Sequence, residues 1–334
     1  MIKAIDRASV SKICSGQVVV DLATAVKEMV ENALDAGATT IEVKLKDFGA
    51  ASIEVTDNGA GVDPDNYDGL ARKHFTSKLR DFEDLACVAS FGFRGEALNA
   101  LCELSARFAV TTKQASQPVG TLLLFNRDGT LQSRAVAPRT TGTTVSVEGL
   151  FERLPVRRRE FVRSAKKQFQ KMVRSVQSYA LISVGVKISV SNTAAGVRSG
   201  VLATQAGGGL ADNVSSLFGA KFAASLLPLG QSQGQGLQKR VVRVSGLVSR
   251  VGQGVGRSDN DRQFIFVNGR PVDLPRFSKA LNEVWRRYEM KQKPAFVLDV
   301  TVPAGCFDVN LTPDKREVLI VQERKILDRL REAV

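Results

Sequence analysis

The stretch VKEMVENALDAG, Val26 to Gly37, constrains the fold of this chain more than any other. Val26, Met29, Val30, Ala33 and Leu34 follow the i, i+3, i+4, i+7, i+8 pattern of a helix with one face against a core. Gly37 stands where a helix commonly ends in a left-handed cap. At about 100° per residue, Glu28, Asn32 and Asp35 fall together on the opposite face. A polar stripe of this kind is ordinarily solvated. The segments downstream of Gly37 give it another meaning.

Ile41–Lys46 and Ser52–Thr56 alternate apolar and polar residues, which predicts two half-buried strands joined by a turn at Gly49 and therefore antiparallel. The second runs into Asp57-Asn-Gly-Ala-Gly61, where Gly59 and Gly61 permit positive φ and close approach of a ligand. Most D-x-G-x-G strings are simply turns. This one lies a single hairpin from the Glu28/Asn32 helix. Residues 65–99 carry turn chemistry at both ends and little periodicity between. They hold His74-Phe-Thr-Ser-Lys78 and Phe91-Gly-Phe-Arg-Gly-Glu-Ala-Leu98, the latter running into a helical stretch Glu96–Leu104. Amides at a helix start, with an arginine beside them, suit an anion. The spacing is not that of a Walker A loop, and a long coreless loop is commonly functional.

Further strands are expected at about 106–112, 120–126, 131–136, 142–148, 186–192 and 197–203. Residues 1–22 read as a short element and turn. A basic helix is expected at about 160–183, with Phe161, Ala165, Phe169, Met172 and Val176 inward. Arg163, Lys167 and Lys171 belong to its dense positive face, which reads either as an ordinary solvated face or as a surface for a DNA backbone. The Gly-rich Ala203–Gly209 marks a boundary, giving domains 1–207 and 208–334. In the second, 241–248, 263–267 and 296–302 read as strands, and 275–287 and 323–333 as helices. Asp308-Val-Asn-Leu-Thr-Pro-Asp-Lys315 reads as a loop off a strand.

Composition narrows the chemistry. A net charge of +13 favours a polyanionic partner. No run of about 18 apolar residues exists, so no membrane span is expected, and the start MIKAIDRASV is not a signal peptide. His74 is the only histidine, and Cys14, Cys87, Cys102 and Cys306 lack zinc-ligand spacing. Chemistry here rests on carboxylates, amides, lysines, arginines and backbone.

Glu28/Asn32 in KEMVENALDAG, Asp57 in DNGAG, the TSK phrase and GFRGEAL together resemble the motifs of the GHKL ATPases. Within that superfamily, GFRGEAL, GTTVSVEGLF followed by LPVRRREF, and FVNGRPVD followed by DVNLTPDKREV are similar to MutL mismatch-repair proteins. The match runs from about residue 5 to residue 320, in family order. Cys14-Ser-Gly-Gln-Val, Thr312-Pro-Asp-Lys-Arg and GVGRSDNDRQF resemble the eukaryotic PMS-type subunit. Phe75 departs from the commoner His or Ala.

The resemblance implies an α+β fold: a GHKL (Bergerat) α/β sandwich with a mixed, mostly antiparallel sheet, followed by a ribosomal-S5-like α/β transducer domain. It implies ATP and Mg²⁺ as ligands, and slow ATP hydrolysis. Glu28 matches the general base, Asn32 the metal ligand, and Asp57 the acceptor of the adenine amino group. Gly59 and Gly61 would make room for the base, and Thr143 would assist through water. Thr76, Ser77, Lys78, Phe91, Gly92, Phe93, Arg94, Gly95, Glu96, Ala97 and Leu98 match a lid over the triphosphate. Lys315 would reach the γ-phosphate from the second domain. The implied setting is mismatch repair in the nucleus, with an MLH-type partner, MutS-type mismatch recognition proteins and double-stranded DNA read without sequence preference, and no membrane. The D-Q-H-A…E endonuclease string of PMS-type proteins does not occur here, so nuclease activity is expected only in a further, C-terminal region. Two other readings stay open: a DNA- or partner-binding module with little turnover, and another GHKL ATPase such as a topoisomerase ATPase subunit.

Overall fold

The computed structural model describes residues 6–76, 78, 90–92, 95–229, 242–252, 256–303, 305–308, 312, 316–321 and 323–333. The chain forms two compact units, one built from residues up to Gly207 and one from Gly208 onward, the latter also taking in Leu181–Val184.

In the first unit the elements are α1 (Arg7–Val18), α2 (Leu22–Asp35), β1 (Thr40–Lys46), β2 (Ser52–Asp57), α3 (Ala97–Leu104), β3 (Arg107–Lys113), β4 (Gly120–Phe125), β5 (Leu131–Ala137), β6 (Gly142–Glu148), α4 (Pro155–Arg163), α5 (Ala165–Ile182), β7 (Lys187–Ala194) and β8 (Val197–Ala203). Its strands form one sheet in the order β5-β4-β3-β6-β2-β1-β7-β8. Only the β1–β7 pairing is parallel. The mixed, mostly antiparallel sheet expected from the sequence is therefore present.

The two faces of the sheet differ in chemistry. Ile41, Val43, Leu45, Ile53, Val55, Val147, Ile188 and Val190 are buried on one side. On the other side Lys44 pairs with Glu42 at 2.9 Å and Glu54 at 3.4 Å, and Arg198 with Glu42 at 2.8 Å. An antiparallel sheet can leave one such face to water. Helix α2 packs on β1 and β2, and α3 packs on β3.

Two readings of the sequence need correction. Residues 7–18 are a full helix, not a short element and turn. The segment RASVSKICSGQV leaves Val10 and Ile13 exposed, so it lacks a clean apolar stripe. Packing against α3 supports it. So does Arg157, whose guanidinium donates to Gly16 O at 2.8 Å and caps the last turn from far along the chain. Second, the basic helix is two helices. Pro155 starts α4 earlier than expected, and Ser164, with its hydroxyl turned onto Glu160 O at 2.8 Å, interrupts the run. Leu210–Phe218, for which the sequence pattern makes no assignment, is helical, begun by Gly209, whose amide donates to Asp212 Oδ2 at 2.7 Å.

The second unit holds α6 (Leu210–Phe218), α7 (Ala220–Ala223), β9 (Leu226–Pro228), β10 (Arg243–Ser249), β11 (Gln263–Val267), β12 (Arg270–Pro271), α8 (Pro275–Trp285), β13 (Phe296–Thr301), β14 (Phe307–Asp308), β15 (Leu319–Ile320) and α9 (Glu323–Ala333). Its main sheet runs β12-β11-β13-β10-β9, with β11 and β13 parallel. FVNGRPVD is a β11–β12 hairpin. Asn268 and Gly269 take positive φ at its tip, and Asn268 bonds both backbone groups of Val302. Phe277, Leu281, Val284 and Trp285 bury the inner face of α8, as the periodicity predicts. Among the described residues no helix is long and apolar enough to cross a membrane.

Candidate nucleotide site

Helix α2 starts at Asp21, whose Oδ1 accepts the Thr24 amide at 2.8 Å. Its Oδ2 binds Lys171 Nζ at 2.6 Å. Burial pushes the Asp21 carboxyl up, but Lys171 and the two Thr24 donors outweigh it and hold the group below its ordinary value.

The polar side of α2 is not solvated. Lys27, Glu28 and Glu31 are all buried. Lys27 Nζ lies 2.9 Å from Glu28 Oε1 and 3.7 Å from Glu31 Oε1. Tyr179 donates its hydroxyl to Glu31 Oε1 at 2.5 Å, and its ring meets Phe91 edge-on with centroids 5.8 Å apart. Buried charges persist when paired and hydrogen-bonded in this way.

One turn beyond Glu28, Asn32 and Asp35 meet two segments distant in sequence. Lys78 Nζ donates to Asn32 Oδ1 at 2.9 Å and to Asp35 Oδ2 at 2.5 Å. The Phe91 and Gly92 amides donate to Asp35 Oδ1 and Oδ2 at 2.8 and 3.0 Å. Thr76 Oγ1 accepts the Lys78 amide at 3.1 Å. Gly95, at φ 62°, accepts the His74 amide through its carbonyl at 3.1 Å. Glu96 lies 3.6 Å from His74 Nδ1, and Ala97 and Leu98 open α3. The first amides of a helix have no intrahelical acceptor.

Asp57 ends β2, and the loop after it meets the C-terminal end of α2. Its Oδ1 accepts the amides of Gly59 at 2.8 Å and Thr143 at 3.2 Å. Burial raises its carboxyl above the ordinary aspartate value, with those two amides and Arg139 opposing. Gly59 and Gly61 are needed for the protein's own packing. A Cβ on Gly59 would lie 2.8 Å from Ala36 Cβ, and one on Gly61 2.3 Å from Lys113 O. The Ala60 amide donates to Ala36 O at 3.0 Å and ties this loop to the end of α2. The Thr143 hydroxyl faces Thr112 Oγ1 at 3.1 Å.

Two residues that matter here carry no strong signal in the sequence. Asp35 is on the polar stripe but has no partner visible from its neighbours in the chain. Arg139 lies in an aperiodic loop, yet its guanidinium donates to Asp57 O at 2.8 Å, to Gly142 O at 3.0 Å and to Thr144 Oγ1. It fixes the backbone that carries Asp57.

The expected residues therefore fall into two groups, Asn32 with Lys78, Phe91 and Gly92, and Asp57 with Gly59, Gly61 and Thr143, joined through Ala36. Ser77, Phe93, Arg94 and Lys315 lie outside the described residues. Of the expected DNA-facing side chains, Arg163 pairs with Glu160 at 2.5 Å and Lys171 with Asp21. Lys167 is exposed and makes no ion pair among the described residues.

Two family models match: "Histidine kinase-, DNA gyrase B-, and HSP90-like ATPase" over residues 20–143, and "DNA mismatch repair protein, C-terminal domain" over 214–334. A crystal structure of the N-terminal domain of a DNA repair protein is 40% identical, with a TM-score of 0.84 over 97% of this chain and 96% of that one. Mismatch repair endonuclease PMS2 of Gallus gallus is 47% identical over 98% of this chain. The chain belongs to the PMS-type branch of the MutL mismatch-repair family. DNA mismatch repair protein PMS1 of Arabidopsis thaliana is 45% identical over 100% of this chain. This MutL homologue spans 39% of the chicken protein's length and 36% of the plant protein's. The Aquifex aeolicus MutL ATPase domain complexed with ADP shares the fold, with a TM-score of 0.60 at 23% identity over 84% of this chain and 91% of that one. The GHKL-type α+β architecture expected from the motifs is thus the fold of this chain.

Proposed function

We propose that residues 1–207 form an ATPase domain that binds ATP with Mg²⁺ and hydrolyses it slowly, and that residues 208–334 form the transducer. The observation that carries this reading is the cation on Asn32. An ammonium sits 2.9 Å from its side-chain oxygen, beside a carboxylate and two backbone amides. Hard oxygen donors that already hold a cation suit Mg²⁺, which takes one or two protein oxygens and completes its shell with phosphates and water. When bound, Mg²⁺ neutralises charge on the phosphates.

The chain's own residues would do the rest. Asp57 would accept the adenine amino proton in a hydrogen bond, held in place by Gly59, Thr143 and Arg139. The Phe91 and Gly92 amides, and the first turn of α3, would face the phosphates. Glu28, one turn from Asn32, would orient a water and take its proton as the water attacks the γ-phosphorus and the bond to the bridging oxygen breaks. Lys315 would counter charge at the γ-phosphate.

ATP binding would order the lid, promote association of two N-terminal regions and favour engagement of DNA. The full-length protein would pair with an MLH-type partner, act with MutS-type proteins in the nucleus, and carry its endonuclease outside this segment.

Titration of ATP with and without Mg²⁺ tests the nucleotide reading. Wild type is expected to bind ATP, with a Mg²⁺ dependence that Asn32→Ala loses. No ATP binding, or a Mg²⁺ dependence untouched by that change, would overturn it.

A further inference from the structure

Asp35 is a heavily engaged acceptor in the candidate site, yet it has no part in the proposed hydrolysis. Its side chain is 6% exposed. It accepts three hydrogen bonds, from Phe91 N at 2.8 Å, Gly92 N at 3.0 Å and Lys78 Nζ at 2.5 Å. Gly92 allows this crowding: a Cβ there would lie 3.2 Å from Lys78 Nζ and 3.3 Å from Asn32 Oδ1.

Two adjacent loop amides and an ammonium are the donor set that binds a phosphate group. Here all three point at a carboxylate of the chain itself. We infer that Asp35 is an internal anion that occupies the phosphate donors of this site, and that a nucleotide triphosphate binds by taking those donors from it. The inference rests on the nucleotide reading of the site.

The exchange is competitive. Each N–H can serve one strong acceptor at a time. A phosphate oxygen entering the Phe91–Gly92 amides must displace an Asp35 oxygen, and the two like charges repel. Lys78 would go with the stronger anion, leaving Asn32 Oδ1 open as it moves. The fraction of molecules with free donors then scales the apparent affinity for any ligand that carries phosphates. Adenosine, which has none, is indifferent to the exchange. A residue that merely supported the loop would behave in the opposite way, since its loss would weaken phosphate binding.

Asp35→Asn keeps the shape and removes the charge. Titrations of ATP and adenosine in EDTA, with circular dichroism as the fold control, give the ratio of their affinities. ATP binding is expected to tighten about tenfold in Asp35→Asn, the factor for a donor set occupied by Asp35 in about nine molecules of ten, with adenosine unchanged. Weaker or unaltered ATP binding in the folded variant, or equal tightening of adenosine, would overturn the inference.

Lys78→Met provides the second arm. It removes a donor that moves to the phosphates, so ATP should weaken relative to adenosine. An unchanged ratio would mean that Lys78 only ties Asn32 to Asp35, and would also overturn the inference. Failure of the nucleotide reading itself is separable, because then wild type would bind neither ligand.

Discussion

Gly61 offers a direct measure of how tightly the Asp57 loop is built. It sits at φ 77°, and an added Cβ would lie 2.3 Å from Lys113 O and 2.7 Å from Lys113 C. Both are backbone atoms, so no rotamer relieves the clash. Gly37 is the internal control: its φ is 71°, but nothing lies within 4 Å of its Cβ position. Both alanine substitutions carry the left-handed cost of about 1–2 kcal/mol. Only Gly61→Ala adds the forced displacement of packed backbone, ~1–3 kcal/mol. Gly61→Ala should therefore be the less stable variant by about 2 kcal/mol, which is roughly 4–8 °C for a unit of this size. Far-UV circular dichroism tracks the melt. Trp285, the only tryptophan, reports on the second unit. The transition of the first unit is the one that ATP is expected to shift upward under the proposed function. Gly61→Ala should also weaken adenosine binding, because the displaced loop carries Asp57, whereas Gly37→Ala should not. Equal losses in the two variants would refute the close approach as the reason for glycine at 61.

Asp57 is raised by burial, so the folded state holds its proton more tightly than the unfolded state. The ionised side chain then costs stability at neutral pH, and that cost fades as pH falls through the folded value. Asp57→Asn should be more stable than wild type at neutral pH in urea denaturation and lose that advantage toward acid, while losing adenosine binding; an advantage independent of pH would contradict the assignment. Arg139→Ala leaves the Asp57 and Gly142 carbonyls short of a charged donor, costing about 2 kcal/mol. It should weaken adenosine binding, with partial rescue by Arg139→Lys; full adenosine affinity in the folded variant would remove Arg139 as a positioning residue. DNA affinity should fall steeply with salt and weaken in Lys167→Glu. Lys167 is the cleaner test because reversal at Lys171 would also disturb the Asp21 cap of α2; a salt-insensitive affinity would exclude a phosphate-contacting surface.

The parts of this molecule that are legible in its sequence are those fixed by local periodicity. The β1, β2 and β6 strands announce themselves by alternation, and α2 and α8 by their apolar stripes. The candidate site residues stand out where a motif spans a short distance, as with Glu28/Asn32 and Asp57. What stays hidden depends on contacts far apart in the chain. A helical wheel places Asp35 on the polar face of α2, but nothing local says that Phe91, Gly92 and Lys78 return to it. Arg139 sits in a loop with no period and acts on a carbonyl at Asp57. Helix α1 is completed by Arg157. Gly59 and Gly61 stand out for the space they leave a ligand, yet their backbone is required first by Ala36 and Lys113.

Central to the proposed function is a catalytic carboxylate on α2, on the floor of an ATP site. Glu28→Gln keeps the side chain's shape beside Lys27 and removes its basicity. Phosphate release at saturating ATP and Mg²⁺, measured alongside ATP affinity, tests it most directly. ATP binding is expected to stay close to wild type, with hydrolysis reduced by about 10²-fold or more. Undiminished hydrolysis in this variant would contradict the role of Glu28 as the base.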